Sequence, residues 1–192
     1  MTDAGLDAVF SAIDAANAAD PNQHEGQPLA LLQGQLASAW LDRLTAAAPA
    51  EVQVAVRAHH LERWELARSD YPEGRGGYLR WRSANKAHQA DAAAAILTDH
   101  GWDAEATDRV QQLLRREGLR TDPETQLLED AACLVFLETQ YDDMIGRLDH
   151  DHMVSVVGKT LRKMSPAAID LAGTIELTPT GQAVLAESVA KL

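Results

Sequence analysis

The stretch AACLVFL at residues 131–137 decides the fold class, because it leaves a helix no polar face. A helix that is apolar all round lies in the interior of a protein, covered by other helices. In the rest of the chain alanine and leucine are abundant, β-branched runs are absent, and apolar residues recur mostly every three to four positions. The sequence therefore predicts an all-α, single-domain bundle over residues 1–192, with about seven to eight helices.

Breakers and caps divide this chain into its predicted helices. Proline suits the first helical turn, and glycine commonly follows the last one, as Gly101 and Gly118 do here. We expect longer helices at 3–19, 28–47, 50–67, 78–100, 104–117, 121–147 and 151–163, and short ones that begin after Ser165 and Thr178. Loops are predicted at 21–27 and 69–77, and 174–177 could be extended.

Charge and composition exclude several function classes. The net charge of −12 and the pI near 4.9 argue against an extensive nucleic-acid surface or an anionic-membrane surface, both of which need clustered positive charge. Cys133 is the only cysteine, so disulfides within the chain and cysteine-based zinc sites are excluded. No apolar stretch is long enough to span a bilayer, and the acidic start MTDAGLDAVF is unlike a signal peptide. We therefore expect a cytoplasmic protein.

Against this acidic background, residues 57–86 carry seven basic residues, four acidic ones, three glycines and four aromatic residues. Glycine-rich turns that open a helix make anion sites, and arginine binds phosphate through two oxygens at once. The segment predicts a small anionic, phosphate-bearing ligand as the partner. The candidate binding residues are Arg63, Trp64, Arg68, Tyr71, Arg75, Tyr78, Arg82 and Lys86. The alternative is that the arginines form surface ion pairs and the aromatic side chains pack in the core.

Two histidines and one carboxylate lie on faces that are predicted to be buried. His60 continues the apolar line of Val52 and Val56, and His88 shares a helix face with aromatic residues. Asp130 falls inside an apolar sector, where a carboxylate is costly unless a cation or a metal pairs with it. We interpret His60, His88 and Asp130, with Glu129 beside it, as candidate metal ligands. The alternative is that the histidines only pack in the core.

Several segments together resemble a known family. The segments AHHLERWELARSDYPEGRGGYLRWR, KAHQADAAAAIL, TQLLEDAACLVFLETQYDD and KTLRKMS are similar to the family catalogued as domain of unknown function 4202. The resemblance spans nearly the whole chain, and the family implies no established activity. Its pattern has glutamine at the position of His59, which favours His60 as the functional histidine of the pair.

A more distant likeness is to the HD-domain phosphohydrolases, which are all-helical and bind a divalent metal through histidines and a late aspartate. The resemblance places His60, His88 and Asp130 at such positions. The His-Asp dyad of that family is absent, because Leu61 follows His60. Either Glu129 or Glu62 would then supply the missing carboxylate, or the site binds no metal.

These observations lead to one functional hypothesis with two alternatives. The first is a metal-dependent phosphohydrolase that acts on a nucleotide or a related phosphate ester, with His60 and Glu62 as catalytic residues. A mixed set of histidine and carboxylate ligands would suit Mn, Fe, Co, Ni or Zn. The alternatives are a non-catalytic module that binds a nucleotide or phosphometabolite, and a helical protein-interaction domain.

Overall fold

The structure is a computed structural model that describes the backbone of residues 3–192 and the side chains of residues 5–192. The fold is all-α, as predicted, and the described part of the chain contains ten α-helices and one two-stranded hairpin. The helices are α1 (Asp3–Asn17), α2 (Leu29–Leu44), α3 (Ala50–Arg57), α4 (Gly74–Asp99), α5 (Ala104–Arg115), α6 (Pro123–Thr139), α7 (Tyr141–Ile145), α8 (His150–Leu161), α9 (Pro166–Ala172) and α10 (Pro179–Ala190).

The chain divides into two compact units, whereas the sequence predicted one domain. The N-terminal unit ends at Leu128, and the C-terminal unit is Glu129–Leu192. The division falls within α6. This division does not test whether the chain folds as one domain, so the single domain stays a prediction.

In the N-terminal unit, α1, α2 and α3 pack on one another, and α5 packs against α3 and α4. Gly34 of α2 lies so close to α3 that an added Cβ would be 2.7 Å from the carbonyl oxygen of Arg57. Only a residue without a side chain allows this approach. Val9, Ile13 and Val52 form part of the core and are fully buried.

The third helix ends about ten residues earlier than predicted. It stops at Arg57, and 59–65 form tight turns whose backbone bonds join residues three apart, such as His59 N to Val56 O. The ring nitrogen Nδ1 of His59 lies 2.9 Å from Val56 O, the carbonyl that the next helical N–H would use. A side chain that competes for a helix carbonyl favours termination. His60 therefore lies on a turn and does not extend a helical line.

The fourth helix begins four residues earlier than predicted, inside the expected loop. Gly74 opens it with a φ of +77°, a conformation that suits glycine. Gly77 faces the preceding loop, where an added Cβ would lie 1.7 Å from the carbonyl oxygen of Pro72. Two of the three loop glycines therefore have structural roles in bringing this loop onto the first turn of α4.

In the C-terminal unit, α8 packs against α10 and α7. The predicted sixth helix is interrupted at Gln140, so α6 and α7 are separate. Tyr141, fully buried, donates from its hydroxyl to Gly181 O at 2.9 Å, and burial, together with the charge of Asp142, raises its pKa to about 12. Five of the seven residues in AACLVFL are buried, as an interior helix requires.

Two smaller expectations also differ from the structure. The loop predicted at 21–27 contains strand β1 (Gln23–His24), which pairs antiparallel with β2 (Gln27–Pro28). Residues 174–177 form no strand. Among the described helices, none combines the length and the apolar character that crossing a membrane requires.

Candidate functional site

A turn segment of the N-terminal unit lies along the first half of α4. The indole Nε1 of Trp81 donates to Leu66 O at 2.8 Å, and Nε2 of His88 lies 3.4 Å from a carboxylate oxygen of Glu62. Trp81 and His88 are seven residues apart, which is about 10 Å along a helix axis. Residues 62–66 therefore follow α4 for about two turns, and the candidate site is built between them.

Glu62 has an unusual backbone conformation at the centre of this segment. Its φ of 50° and ψ of 31° lie in the left-handed region, which costs a residue with a side chain about 1 kcal/mol or more. The backbone N–H of Glu62 donates to Oδ1 of Asn17, the last residue of α1, at 3.2 Å. This bond fixes the turn and directs the Glu62 carboxylate toward His88.

Three buried amides lie near this contact, one through its bond to Glu62 and two as neighbours of His88 on α4. Asn17, Asn85 and Gln89 are 1%, 1% and 3% exposed. Asn17 Oδ1 accepts from Glu62 N, and Asn85 Nδ2 donates to Trp81 O at 3.0 Å. The opposite atoms, Asn17 Nδ2 and Asn85 Oδ1, and also Gln89 Nε2, have no hydrogen-bond partner among the described residues. Buried polar groups are nearly always satisfied, so these three amides require an explanation.

His60 is held as a neutral imidazole. Burial lowers its pKa well below the usual value, and the nearby positive groups His59, Arg63 and Arg116 lower it further. Its Nδ1 lies 2.5 Å from the amide oxygen of Gln33, an acceptor, so Nδ1 carries the proton and Nε2 keeps its lone pair. This is the tautomer in which a histidine can bind a metal or accept a proton.

Two arginines of the segment have no acidic partner. The guanidinium of Arg63 lies 4.7 Å from the ring centre of Trp81, and that of Arg82 lies 5.9 Å from the ring centre of Tyr78. Burial lowers the pKa of Arg63, and the charge of Arg82 lowers it as well, against an opposing effect of Tyr78. Within residues 5–192 neither guanidinium forms an ion pair or a hydrogen bond, so both remain available to an anion.

The other predicted binding residues contribute unequally. Arg68 donates to the backbone oxygen of Tyr71 at 2.9 Å, so it stabilises its own loop. Arg75 is exposed on the first turn of α4. Part-buried positions are occupied by Trp64, Tyr71 and Lys86. The structure thus brings Arg63, Tyr78 and Arg82 together around Trp81, which the sequence analysis had grouped with the aromatic residues.

The predicted acidic metal ligands have contacts inside the C-terminal unit. A carboxylate oxygen of Glu129 lies 3.7 Å from Lys163 Nζ, and Asp130 accepts from the backbone N–H of Ser165 at 2.8 Å. Both carboxylates thus have positive or N–H partners despite their burial. No three side chains of the His, Cys, Asp and Glu types in the described part of the chain form a group that could hold a metal ion. Their role as metal ligands stays a prediction.

Sequence reasoning missed the amides, and it misassigned one partner of His88. The sequence places Asp91 three residues after His88, a spacing that predicts a contact within a helix, but the Asp91 carboxylate accepts from Arg115 at 3.1 Å, and Glu62 faces His88 instead. A signal for the amides did exist, because Asn85 and Gln89 are four residues apart in an alanine-rich helix. Asn17 gave no such signal, since its role depends on a contact 45 residues along the chain.

Comparison with known proteins gives one match. The family model described as Domain of unknown function (DUF4202) matches residues 7–185. Among curated proteins and among solved structures, none matches this chain.

Proposed function

The chain belongs to the DUF4202 family, and we propose that its N-terminal unit binds a small phosphate-bearing molecule of the nucleotide class. The observation that supports this proposal is the pair of guanidinium groups of Arg63 and Arg82, which have no acidic partner in the described structure. Both side chains are part-buried, and removing a guanidinium from water without an acidic partner costs free energy, which a second guanidinium beside it increases. A phosphate group would neutralise both.

Electrostatics supports an anion with several oxygens, such as phosphate, as the ligand. Arginine forks donate to two phosphate oxygens at once, and such charge-assisted bonds contribute about 1.5–3 kcal/mol each. Arg63 and Arg116 lie close enough to His60 that the positive charge of each lowers the pKa of its imidazole. This local positive potential in an acidic protein attracts a compact polyanion. The ring of Tyr78 is 44% exposed and offers a stacking surface beside Arg82.

Binding is tested by calorimetric titration of the full chain with pyrophosphate and with a panel of nucleoside mono- and triphosphates. We expect Arg63→Met to weaken binding about 10–100-fold, which corresponds to the loss of one charge-assisted contact. Arg80→Met is the control, because Arg80 is exposed and lies on the same helix as Arg82 but, two residues away, on a different face. Equal affinities for the two variants would contradict the proposal.

Hydrolysis of the bound phosphate ester is the second candidate function. The observation that favours it is the tautomer of His60, whose Nδ1 bond to Gln33 leaves Nε2 free to bind a borderline divalent ion such as Mn, Fe, Co, Ni or Zn. His60 and His88 are the ligands of the N-terminal unit in this proposal. When bound, such an ion would lower the pKa of a water ligand and neutralise charge on the phosphoryl group.

Within this second candidate, Glu62 accepts a proton from water, because its carboxylate already lies beside His88. The likeness to HD-domain phosphohydrolases belongs to the same proposal. The test is metal analysis of protein purified without chelators, followed by assays of phosphate release with each ion. His60→Gln should abolish phosphate release, and the exposed His100→Gln should leave it unchanged. If no ion restores phosphate release, hydrolysis is excluded and the binding function remains.

A further inference from the structure

The three buried amides define a second, neutral part of the site. Two unpartnered donors, Asn17 Nδ2 and Gln89 Nε2, and one unpartnered acceptor, Asn85 Oδ1, lie in the part of the N-terminal unit that the structure describes. All three side chains are more than nine-tenths buried. Each such group costs about 1–3 kcal/mol if it stays unsatisfied, so each needs a partner, which a ligand or an ordered water can supply.

These amides are connected to one another through the turn segment and α4. Asn85 and Gln89 are four residues apart on one face of α4, and His88 lies beside them. Asn17 reaches the same region, because its amide oxygen accepts from Glu62, whose carboxylate lies 3.4 Å from His88 Nε2. The side chains of Glu62 and His88 are 36% and 31% exposed, whereas Nε2 of His88 is itself buried and, like the three amide atoms, has no hydrogen-bond partner among the described residues.

We propose that Asn17, Asn85 and Gln89 recognise the lactam edge of a nucleobase, that is, a ring carbonyl next to a ring N–H. The carbonyl oxygen has two lone pairs and accepts from Asn17 Nδ2 and Gln89 Nε2, and the ring N–H donates to Asn85 Oδ1. Uracil, guanine and hypoxanthine present such an edge. Adenine has no carbonyl beside a ring N–H, so it leaves at least one of these buried groups unpaired.

This inference rests on the proposed function, and it gives the ligand its orientation. Trp81, over which Arg63 lies, and His88 are about 10 Å apart along α4. A nucleotide bound with its base at the amides and its phosphate at Arg63 would follow the axis of this helix. The three amides that would bind the base and the arginines that would bind the phosphate are different residues, so each assignment can be tested separately.

The experiment compares nucleosides without phosphate, uridine, guanosine, inosine and adenosine, by calorimetry on the full chain. We expect the first three to bind and adenosine to bind at least 10-fold more weakly. A site built to bond a substrate polar group rejects analogues that lack it, because its own groups are then left unpaired. Equal binding of adenosine, or no binding of any nucleoside, overturns the proposal.

A variant separates ligand recognition from a role in folding. Gln89→Leu removes an unpaired buried donor and keeps similar volume, so it should raise the melting temperature of the ligand-free protein by about 2–4 °C. It should also weaken uridine binding at least 10-fold and leave pyrophosphate binding unchanged. A lower melting temperature with unchanged uridine binding would show that the amide serves the fold, through ordered water, and would overturn the proposal.

A second variant removes the hydrogen-bond acceptor of the site instead of a donor. It also distinguishes base recognition from phosphate binding. Asn85→Leu removes the only buried amide acceptor without a hydrogen-bond partner among the described residues and should weaken uridine binding at least 10-fold, whereas Arg63→Met should not change it. If nucleosides bind but pyrophosphate does not, the assignment of a phosphate site is wrong and the assignment of base recognition to the amides is supported. If pyrophosphate binds and no nucleoside does, base recognition by the amides is wrong and the phosphate site remains supported.

Discussion

Two arginines of the N-terminal unit, Arg109 and Arg63, have opposite electrostatic environments. Arg109 binds Asp122 at 2.8 Å and Glu124 at 2.5 Å, and these partners raise its pKa despite partial burial. Arg63 has a lowered pKa, an aromatic ring beneath it and another arginine as its charged neighbour. One arginine is fully paired within the protein, and the other remains unpaired within the structure described.

The difference shows how a charged side chain can be assigned to folding or to binding. Arg109 connects α5 to the beginning of α6, and its bonds satisfy the charges at both ends. Arg63 contributes nothing comparable to the fold, and burial makes its charge unfavourable. A residue that destabilises the ligand-free protein is informative about function, because the ligand can supply the missing partner.

The largest expected effect on stability follows from removing the paired arginine. Arg109→Leu leaves Asp122 and Glu124 close to each other without a cation, so we expect a loss of about 2 kcal/mol in the free energy of unfolding at neutral pH. Urea denaturation measures it. Arg115→Leu is the control, because its bond to Asp91 is largely exposed and should contribute below about 1 kcal/mol. Equal losses in the two variants would remove the distinction between paired and exposed arginines.

The same ion pair predicts how stability depends on acid. Hydrogen bonds from Arg109, opposed by burial and helped by Thr125, lower the pKa of Asp122 to about 2. A carboxyl whose pKa is lower in the folded state stabilises the protein above the unfolded pKa, near 4, and this contribution disappears as the pH falls toward 2. We expect the free energy of unfolding of the parent protein to exceed that of Asp122→Asn by about 1–2 kcal/mol at pH 6. This difference should close by about pH 2. A gap that does not change with pH would contradict this assignment.

The comparison also shows which features the sequence could reveal. The all-α class, most of the helix ends and the position of Arg63 among aromatic residues follow from local patterns, and the structure agrees with them. Asp103, Ser165 and Thr178 cap their helices through side-chain oxygens, and such caps depend only on neighbours in sequence. Local rules therefore predicted most of the elements.

Features that depend on distant contacts could not be predicted. The apolar periodicity predicted that helix three continues through His60. The helix ends earlier, because a ring nitrogen of His59 bonds Val56 O. Whether Arg63 is paired depends on which acidic residues lie nearby in space, and the sequence left open the alternative of surface ion pairs, which Arg63 does not form among the described residues. The sequence indicated the region of the site, and tertiary contacts determined which of its residues face one another.

His60 is expected to have a smaller effect on how stability depends on pH. As with Asp122, stability falls with falling pH, but in a different pH range. Its pKa is lowered by burial, so the unfolded chain takes up a proton below pH about 6.5 that the folded protein does not. Stability should therefore fall as the pH decreases from 7, by about 1 kcal/mol at pH 5.5. The measurement is urea denaturation of the parent protein and of His60→Gln across this range. His100→Gln is the control, and a parent profile parallel to that of His60→Gln would contradict the prediction.

The smallest expected effect on stability is that of removing the unpaired arginine. Arg63→Met breaks no ion pair and no hydrogen bond in the described part of the chain. It loses a cation–π contact of about 0.5–1 kcal/mol with Trp81 and gains a sulfur–aromatic contact of similar size. It also removes a part-buried charge that Arg82 repels. These terms nearly cancel, so we expect a change in the free energy of unfolding within about 0.5 kcal/mol by urea denaturation. A loss as large as that of Arg109→Leu would mean that Arg63 stabilises the fold, and its unpaired charge would no longer indicate a ligand.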